Sequence, residues 1–214
     1  MSSDKVVLMI GPEKSGTKML ANALIKAFDL SGQHYDGRFF PASQNGALIR
    51  YSVPTGYHDA CTERIPGFPI NKETADDVGE WGWPDADKVI EVANRVYTSP
   101  DIHVISPFRD FYSVVQTLSN QGYTKDEAYE LHDFSLCKIE DFRNRTDCRH
   151  HWISYDLFVH IPFEYMMRLG RDIGLPIDEQ RIAASASKIS SAGSTKWYCD
   201  ENAEPFYGTE ITNE

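Results

Sequence analysis

Long apolar runs, an excess of basic charge and paired cysteines are all missing from this sequence of 214 residues. No apolar stretch approaches the roughly 20 residues of a membrane-spanning helix, so we expect no membrane span. The 21 basic residues are outnumbered by 32 acidic ones, which gives a net charge of −11. A nucleic-acid binder needs a basic face, so we expect no nucleic-acid partner. The first residues lead directly into an apolar strand without the layout of a signal peptide, which favours a cytoplasmic location.

The four cysteines are too few and too irregularly spaced for a disulfide framework or a zinc site of the C-x-x-C type. In a cytoplasmic setting we expect them to be free thiols. Cys148 followed by His150 and His151 suggests a metal cluster, but adjacent histidines rarely converge on one ion. We therefore predict a solvated polar turn at this place and no metal site.

Strand and helix patterns alternate along the chain, which predicts an α/β domain with a parallel sheet over residues 1–200. Residues 201–214 are predicted to be an acidic tail. The segment of about 31–84 is rich in Gly, Pro and aromatic residues and lacks steady periodicity, so we predict an irregular segment that forms a substrate pocket. The predicted strands are 5–10, 102–106 and 152–155, and the predicted helices are 17–29, 84–97, 111–120, 125–136 and 162–173.

A short loop rich in small residues joins the first strand to the first helix. Such a loop brings backbone N–H groups to a helix N-terminus, which favours a bound phosphate. Gly11 and Gly16 have the spacing of the nucleotide-binding motif G-x-x-x-x-G-K-[ST]. That motif has its Lys directly after the second Gly, whereas Thr17 precedes Lys18 here and Lys14 stands before the turn.

A second candidate anion site follows the strand 102–106. Arg109, Ser113 and Thr117 are four residues apart and therefore share one helical face. Arg109 at the carboxyl end of a strand, with hydroxyls along that face, could hold a second phosphate through charge-assisted hydrogen bonds. A surface Arg beside a helix N-cap is the alternative interpretation.

Both segments resemble motifs of the sulfotransferases that use 3′-phosphoadenosine 5′-phosphosulfate (PAPS). The loop is similar to their 5′-phosphosulfate pattern P-K-S-G-T-[TS]-x-L, and the run from Arg109 to Thr117 is similar to R-[DN]-P-x-x-x-x-x-[ST], with Phe111 in place of the Pro. Residues 153–176 look like the family's Y-E-D-L…P…L…F-[LI]-G-[LI]-P stretch. Residues 190–197 resemble the loop R-K-G-x-x-G-x-W that closes over the nucleotide, with Ser190-Ser191 replacing Arg-Lys.

The resemblance implies transfer of a sulfuryl group from PAPS to a hydroxyl or amine of a small-molecule or glycan acceptor, with release of 3′-phosphoadenosine 5′-phosphate (PAP) and no metal. It implies a three-layer P-loop-like fold with a central parallel sheet flanked by helices. Lys14 is expected at the bridging oxygen of the donor. The further residues expected to bind the nucleotide are Ser15, Gly16, Thr17, Lys18, Arg109, Ser113, Thr117, Gly193, Ser194 and Lys196.

The general base is less clear from the sequence. Small-molecule sulfotransferases use a His in a T-H-x-P segment, and the expected counterpart at residues 80–84 lacks it. Other branches use a carboxylate shortly after the first helix, and Asp36 lies at a similar place, so we favour Asp36. His34, His58 and Glu80 are the reserve candidates.

Two other functions compete with this interpretation. A P-loop kinase or NTPase could use Lys18, but it needs Mg²⁺ ligands, whereas Met19 follows Lys18 and the second strand ends without an acid. A PAP-binding homologue without activity is the second alternative. The missing T-H-x-P favours it, and the presence of Lys14 and Arg109 disfavours it.

Overall fold

The computed structural model describes residues 4–34, 45–53, 55–56, 61–69, 80–84, 86–97 and 99–198, and it gives only the backbone for some of these, including 190–198. The strands are β1 (Lys5–Pro12), β2 (Ser31–His34), β3 (Ala47–Val53), β4 (Thr55–Gly56), β5 (Cys61–Pro69), β6 (Glu80–Pro84), β7 (Asp101–Phe108) and β8 (Arg149–Ser154). The helices are α1 (Thr17–Phe28), α2 (Ala86–Val96), α3 (Phe111–Ser119), α4 (Lys125–Arg145), α5 (Tyr155–His160), α6 (Pro162–Ile173) and α7 (Glu179–Tyr198).

A five-stranded sheet in the order β2-β3-β1-β7-β8 forms the centre of the structure. Each neighbouring pair is parallel. The run Val6 to Ile10 of β1 is buried on both faces, as expected for a strand in the middle of a parallel sheet. The predicted α/β fold with a central parallel sheet is therefore confirmed.

Helices cover both faces of this sheet. Successive side chains of β1 point to opposite sides, and each side has its own core. Val7 and Met9 pack into a core with residues of α1, α6 and α7. Val6, Leu8 and Ile10 pack into a second core that includes residues of α2 and α4. The sheet with helices packed on each side forms the three layers that the resemblance implied.

The described parts of the segment 31–84, which was predicted to be irregular, form strands. The segment contains β2 and β3 of the main sheet, and β3 pairs directly with β1. It also contains a small antiparallel sheet in the order β4-β6-β5. The stretch 80–84, expected to replace T-H-x-P, is β6 of this small sheet.

Residues 190–197 were predicted to form a loop, and this was wrong: they are helical, because α7 continues through Tyr198. Asp178 accepts a hydrogen bond from the N–H of Arg181 at 3.1 Å and so starts the helix. Ile182, Ala186 and Ile189 are buried at helical spacing. The single Gly193 costs only about 1 kcal/mol relative to Ala within a helix, which does not end it. Gly193, Ser194 and Lys196 therefore lie on the helical backbone.

The five predicted helices are present as α1, α2, α3, α4 and α6 with differences at some ends, whereas α5 and α7 were not predicted. α6 begins with Pro162 and ends before Gly174, which has a φ of 79°, as the sequence predicted. α4 begins after the capping box of Thr124 and Glu127 but runs nine residues beyond the predicted end at 136, since Ile139 and Phe142 continue its buried face.

No helix among the described residues is both long and apolar enough to cross a bilayer.

Candidate functional site

A cavity of about 850 Å³ opens where β1, β3 and β7 end. Because these strands are parallel, the segments that follow their carboxyl ends meet at one edge of the sheet. The cavity brings together both sequence-predicted anion sites. Its lining includes Lys14, Gly16, Thr17, Lys18, Arg109, Ser113 and Thr117.

The lining of the cavity is strongly basic, although the chain as a whole is acidic. Its cations are Lys14, Lys18, Lys26, Arg50, Arg109 and Lys188, and the carboxylate among its lining residues is Glu13. Such a concentration of cations in a concave site attracts a polyanion. The chemistry of the cavity therefore suits a ligand with more than one anionic group.

The loop between β1 and α1 is tightly wound around one carbonyl oxygen. Pro12 O accepts hydrogen bonds from Ser15 N at 3.1 Å and from Ser15 Oγ at 2.6 Å. Ser15 is fully buried and does not line the cavity. Lys14 and Gly16 both have positive φ, at 64° and 87°. The structure thus uses Ser15 to shape the loop, while Lys14 and Gly16 face the cavity.

The N-terminus of α1 opens toward the cavity without a side-chain cap. Gly16 is the N-cap, and no side chain among the described residues caps this turn. The first N–H groups of a helix have no partner within the helix, and they carry the positive end of its dipole. The N–H groups at Gly16 and Thr17 are therefore available to an anion in the cavity.

Tyr155 forms a wall of the site that the sequence analysis missed. Its ring packs so closely against Gly16 that a Cβ at this position would collide with the ring carbons. The guanidinium of Arg109 lies over the same ring, with Cζ 4.8 Å from the ring centroid. Burial raises the pKa of the Tyr155 hydroxyl, an effect that Arg109 opposes. Tyr155 is thus neutral at physiological pH and supports Arg109 by a cation–π contact.

Arg109 joins the two predicted anion sites. Its Nη1 donates to Lys14 O at 3.4 Å, which ties the segment after β7 to the loop after β1. The next residue, Asp110, accepts from Ser113 N at 3.0 Å and caps α3. On the same face, Thr117 Oγ1 donates to Ser113 O at 2.7 Å. Thr117 lines the cavity, and its hydroxyl must turn away from Ser113 O to donate to a ligand.

Arg50 is a second cation that the sequence analysis missed. It lies near the end of β3, where its Nη1 donates to Thr17 Oγ1 at 3.2 Å and to Ser52 Oγ at 3.1 Å. Burial lowers the pKa of Arg50, and the nearby Glu13 opposes this effect. The available signal was a lone Arg within the apolar run 47–53, because Arg is almost never fully buried without a partner.

Glu13 and Lys14 form an ion pair in the loop between β1 and α1. Lys14 Nζ lies 2.9 Å from Glu13 Oε1, and about a quarter of the Lys14 side chain is exposed. The backbone of Glu13 is fixed as well, because its N–H donates to Val53 O at 3.1 Å. The pair places one carboxylate beside the lysine that the sequence predicted to contact the donor.

A row of polar side chains extends the cavity along α1. Lys18, Asn22 and Lys26 are four residues apart on one face of this helix, and Lys188 of α7 lies across from them. Lys26 and Lys188 had not been predicted. The row continues the basic surface about 12 Å beyond the loop, given the rise of about 1.5 Å per helical residue.

The predicted base residues are not placed by the structure. Asp36 and His58 lie outside the described residues, and for His34 and Glu80 only the backbone is described. For Gly193, Ser194 and Lys196 too, only the backbone is described. Their predicted roles therefore stay predictions.

The predicted polar turn near Cys148 is the start of β8. His150 and His151 have separate partners, since His150 Nε2 lies 3.1 Å from Thr146 Oγ1 and His151 Nε2 lies 3.0 Å from Nδ1 of His103. Among the residues that the structure describes, no group of three His, Cys, Asp or Glu side chains is arranged to hold a metal ion.

No family model and no curated protein sequence matches this chain. Among solved structures, it is similar to mouse sulfotransferase SULT7A1 complexed with PAP, with a TM-score of 0.52 and 14% identity over 91% of this chain and 66% of that one. It is also similar to the sulfotransferase domain from the curacin biosynthetic pathway, with a TM-score of 0.51 and 11% identity over 92% of this chain and 91% of that one. The chain spans slightly less than two thirds of the mouse protein. At these identities the comparison shows that this chain has the P-loop-like fold of sulfotransferases.

Proposed function

We propose that this protein transfers a sulfuryl group from PAPS to the hydroxyl or amine of a small-molecule or glycan acceptor and releases PAP. The observation that carries the proposal is the single basic cavity in which the loop at Lys14 meets the segment at Arg109. A donor with phosphates at both its 5′ and 3′ positions needs two anion sites within one cavity. The mouse neighbour, whose structure contains PAP, supports this choice of ligand.

The 5′-phosphosulfate is proposed to bind at the N-terminus of α1. The N–H groups of Gly16 and Thr17 would hold the phosphate, with Arg50 and Lys18 adding positive charge. Ser15, predicted as a direct contact, would act by shaping the loop, because both its donors bind Pro12 O. The general preference of helix N-termini for phosphate supports this placement of the 5′-phosphosulfate.

The 3′-phosphate is proposed to bind Arg109, Ser113 and Thr117. Arg109 is preorganised for this by its contacts to Lys14 O and to the Tyr155 ring. The family's Arg-Lys pair is absent from the C-terminal segment, and Lys188, a cation of α7 that lines the cavity, could take its place. Gly193, Ser194 and Lys196 lie further along the same helix and would complete this end of the site.

Sulfuryl transfer requires that the acceptor oxygen, the sulfur and the leaving phosphate lie in line. The protein contributes alignment and electrostatic stabilisation, since no covalent intermediate is needed. Lys14 is a flexible point charge that can reach the bridging oxygen as negative charge develops there. The proposed reaction needs no metal, and we propose that it takes place in the cytoplasm. Asp36 remains the base predicted from sequence.

A kinase or NTPase is the less favoured function on the residues present. Such an enzyme holds Mg²⁺ with a Ser or Thr after its lysine and with an acid at a strand end. Met19 follows Lys18, and β7 ends at Phe108 with Arg109 after it. Glu13, the carboxylate of the cavity lining, is paired with Lys14.

The function is tested by release of PAP from PAPS in a buffer that contains EDTA, with a panel of phenols, alcohols, amines and glycans as acceptors. We expect acceptor-dependent release and transfer of the sulfur label to at least one acceptor. The Lys14→Met variant should lose this activity, and Lys125→Met, an exposed residue at the start of α4, serves as the matched control. Binding of PAP without any label transfer would instead indicate the inactive homologue.

A further inference from the structure

We infer that Glu13 is the general base that accepts the proton of the acceptor, an assignment that rests on the proposed sulfuryl transfer. Glu13 is the carboxylate that the described part of the cavity provides. It lies beside Lys14, where the reaction is proposed to occur. Glu13 thereby takes the role for which the sequence had suggested Asp36.

The position of Glu13 meets the distance requirement for a base. Its Oε1 is 2.9 Å from Lys14 Nζ, and Lys14 is proposed to hydrogen-bond the bridging oxygen of the donor. Reacting atoms must approach to about 3–3.5 Å, and a base must lie within hydrogen-bond reach of the proton it takes. A carboxylate one contact away from the lysine can therefore reach an acceptor oxygen placed next to the sulfur.

The carboxylate is also held in place. Its backbone N–H is bound to Val53 O at 3.1 Å, and its side chain is only 17% exposed. Arg50 lies near enough for its charge to act on the carboxylate. The cations Lys14 and Arg50 therefore help to hold the Glu13 side chain at the loop.

The sequence at this place departs from the sulfotransferase pattern in an informative way. In P-K-S-G-T the residue directly before the lysine is Pro, which has no proton acceptor in its side chain. Here Glu13 stands between Pro12 and Lys14. The strand beside the loop, β3, ends in Ser52 and Val53 and provides no His. The chain therefore has a carboxylate at the loop and a hydroxyl at the end of the neighbouring strand.

The proposed step is balanced without any further reactant. As the acceptor oxygen forms its bond to sulfur, its O–H bond breaks and the proton passes to the Glu13 carboxylate. The bond between sulfur and the bridging oxygen breaks, and its electron pair stays on the phosphate of PAP. Lys14 leaves its pair with Glu13 and offsets the charge on that phosphate. Glu13 then returns its proton to water after the products leave.

The test compares the wild type with Glu13→Gln, Glu13→Asp, Asp36→Asn and the control Glu164→Gln, which changes an exposed residue of α6. PAP binding is measured first by thermal shift. Release of PAP from PAPS is then followed over a range of pH with water, phenol or 4-nitrophenol as the acceptor. 4-Nitrophenol is ionised in mildly alkaline buffer and needs no base, whereas phenol does.

We expect Glu13→Gln to bind PAP at least as well as the wild type and to lose about 10²–10⁴-fold in kcat with phenol. The loss should be at least tenfold smaller with ionised 4-nitrophenol, and the fall of kcat toward acidic pH should disappear. Glu13→Asp should recover part of the activity, while the control Glu164→Gln should stay within threefold of the wild type.

The assignment is overturned if Glu13→Gln stays within threefold of the wild type, or if Asp36→Asn removes the acidic limb instead. An equal loss with both phenols would also overturn it, because Glu13 would then only position Lys14. If the wild type does not bind PAP, the proposed function itself fails. If it binds PAP but releases none from PAPS with any acceptor, both the enzymatic function and the base are refuted.

Discussion

Replacement of Arg109 by Gln tests whether the segment after β7 binds the 3′-phosphate of the nucleotide. The change removes the positive charge but keeps a planar, hydrogen-bonding side chain, although a shorter one. In the structure the guanidinium contacts Lys14 O and the Tyr155 ring and faces the cavity. The experiment therefore removes one cation from one end of the site.

The expected loss follows from the strength of charge-assisted hydrogen bonds. A hydrogen bond to a charged group contributes about 1.5–3 kcal/mol. Because each 1.4 kcal/mol corresponds to a factor of ten, PAP should bind roughly 10–100-fold more weakly to Arg109→Gln. AMP lacks the 3′-phosphate, so its affinity should change by less than about threefold.

The assay is titration calorimetry with PAP and AMP against the wild type, Arg109→Gln and Arg143→Gln. Arg143 is an exposed residue of α4 that pairs with Glu140, and its loss should leave both affinities unchanged. If Arg109→Gln weakened AMP as strongly as PAP, Arg109 would act through the loop at Lys14, and the placement of the 3′-phosphate would be refuted.

Three further predictions concern the loop, its glycine and the buried histidine of β7. Lys14→Met should lower the turnover of PAPS about 10²–10³-fold, because it removes charge stabilisation at the bridging oxygen; PAP release measures this, and a loss below tenfold would contradict it. Gly16→Ala should lower the melting temperature and PAP affinity together, because the position has a φ of 87° and its Cβ would meet the Tyr155 ring; an unchanged melting curve would show that the loop tolerates a side chain. Burial lowers the pKa of His103, so the folded state favours the neutral ring, and this contribution to stability should be complete above about pH 6.5 and be lost as the pH falls below it. Urea unfolding across this pH range should show a shallower loss in His103→Asn, and an equal loss in the variant would contradict the prediction.

Much of the fold could be predicted from local patterns. The apolar run of β1 and the helical spacing of α1 gave both elements, and Pro162 with Gly174 gave the two ends of α6. These signals are local. They come from an apolar run that is buried on both faces of the sheet, from the backbone φ that Pro and Gly adopt, and from the N–H group that Pro lacks.

The elements that were missed depend on contacts distant in sequence. β3 lies between segments rich in Gly, Pro and aromatic residues, and its pairing with β1 joins residues about 40 positions apart. α7 continues past Gly193 through a stretch whose Ser and Gly content suggested a loop. Its stability comes from Ile182, Ala186 and Ile189, which are buried in the core shared with α1 and α6.

The residues of the candidate site also divide into those that local motifs predict and those that only the fold brings together. The sequence motifs identified Lys14, Gly16, Arg109 and Thr117, because phosphate chemistry requires certain residues at fixed spacing. Arg50 could not be assigned to the site without knowing that β3 lies beside β1. Likewise Tyr155 was noted within a longer pattern, but its contacts with Gly16 and Arg109 follow only from the fold.

Thermal unfolding with PAP, compared with ATP and Mg²⁺, tests the central claim most directly. At 100 times its dissociation constant, PAP should stabilise the protein by about 2.7 kcal/mol, which corresponds to a shift of roughly 5–11 °C for a chain of this size. The shift should persist in EDTA, and ATP with Mg²⁺ should give much less at the same concentration. A larger shift with ATP and Mg²⁺ than with PAP would contradict the account, because the cavity would then be built for a metal-bound triphosphate.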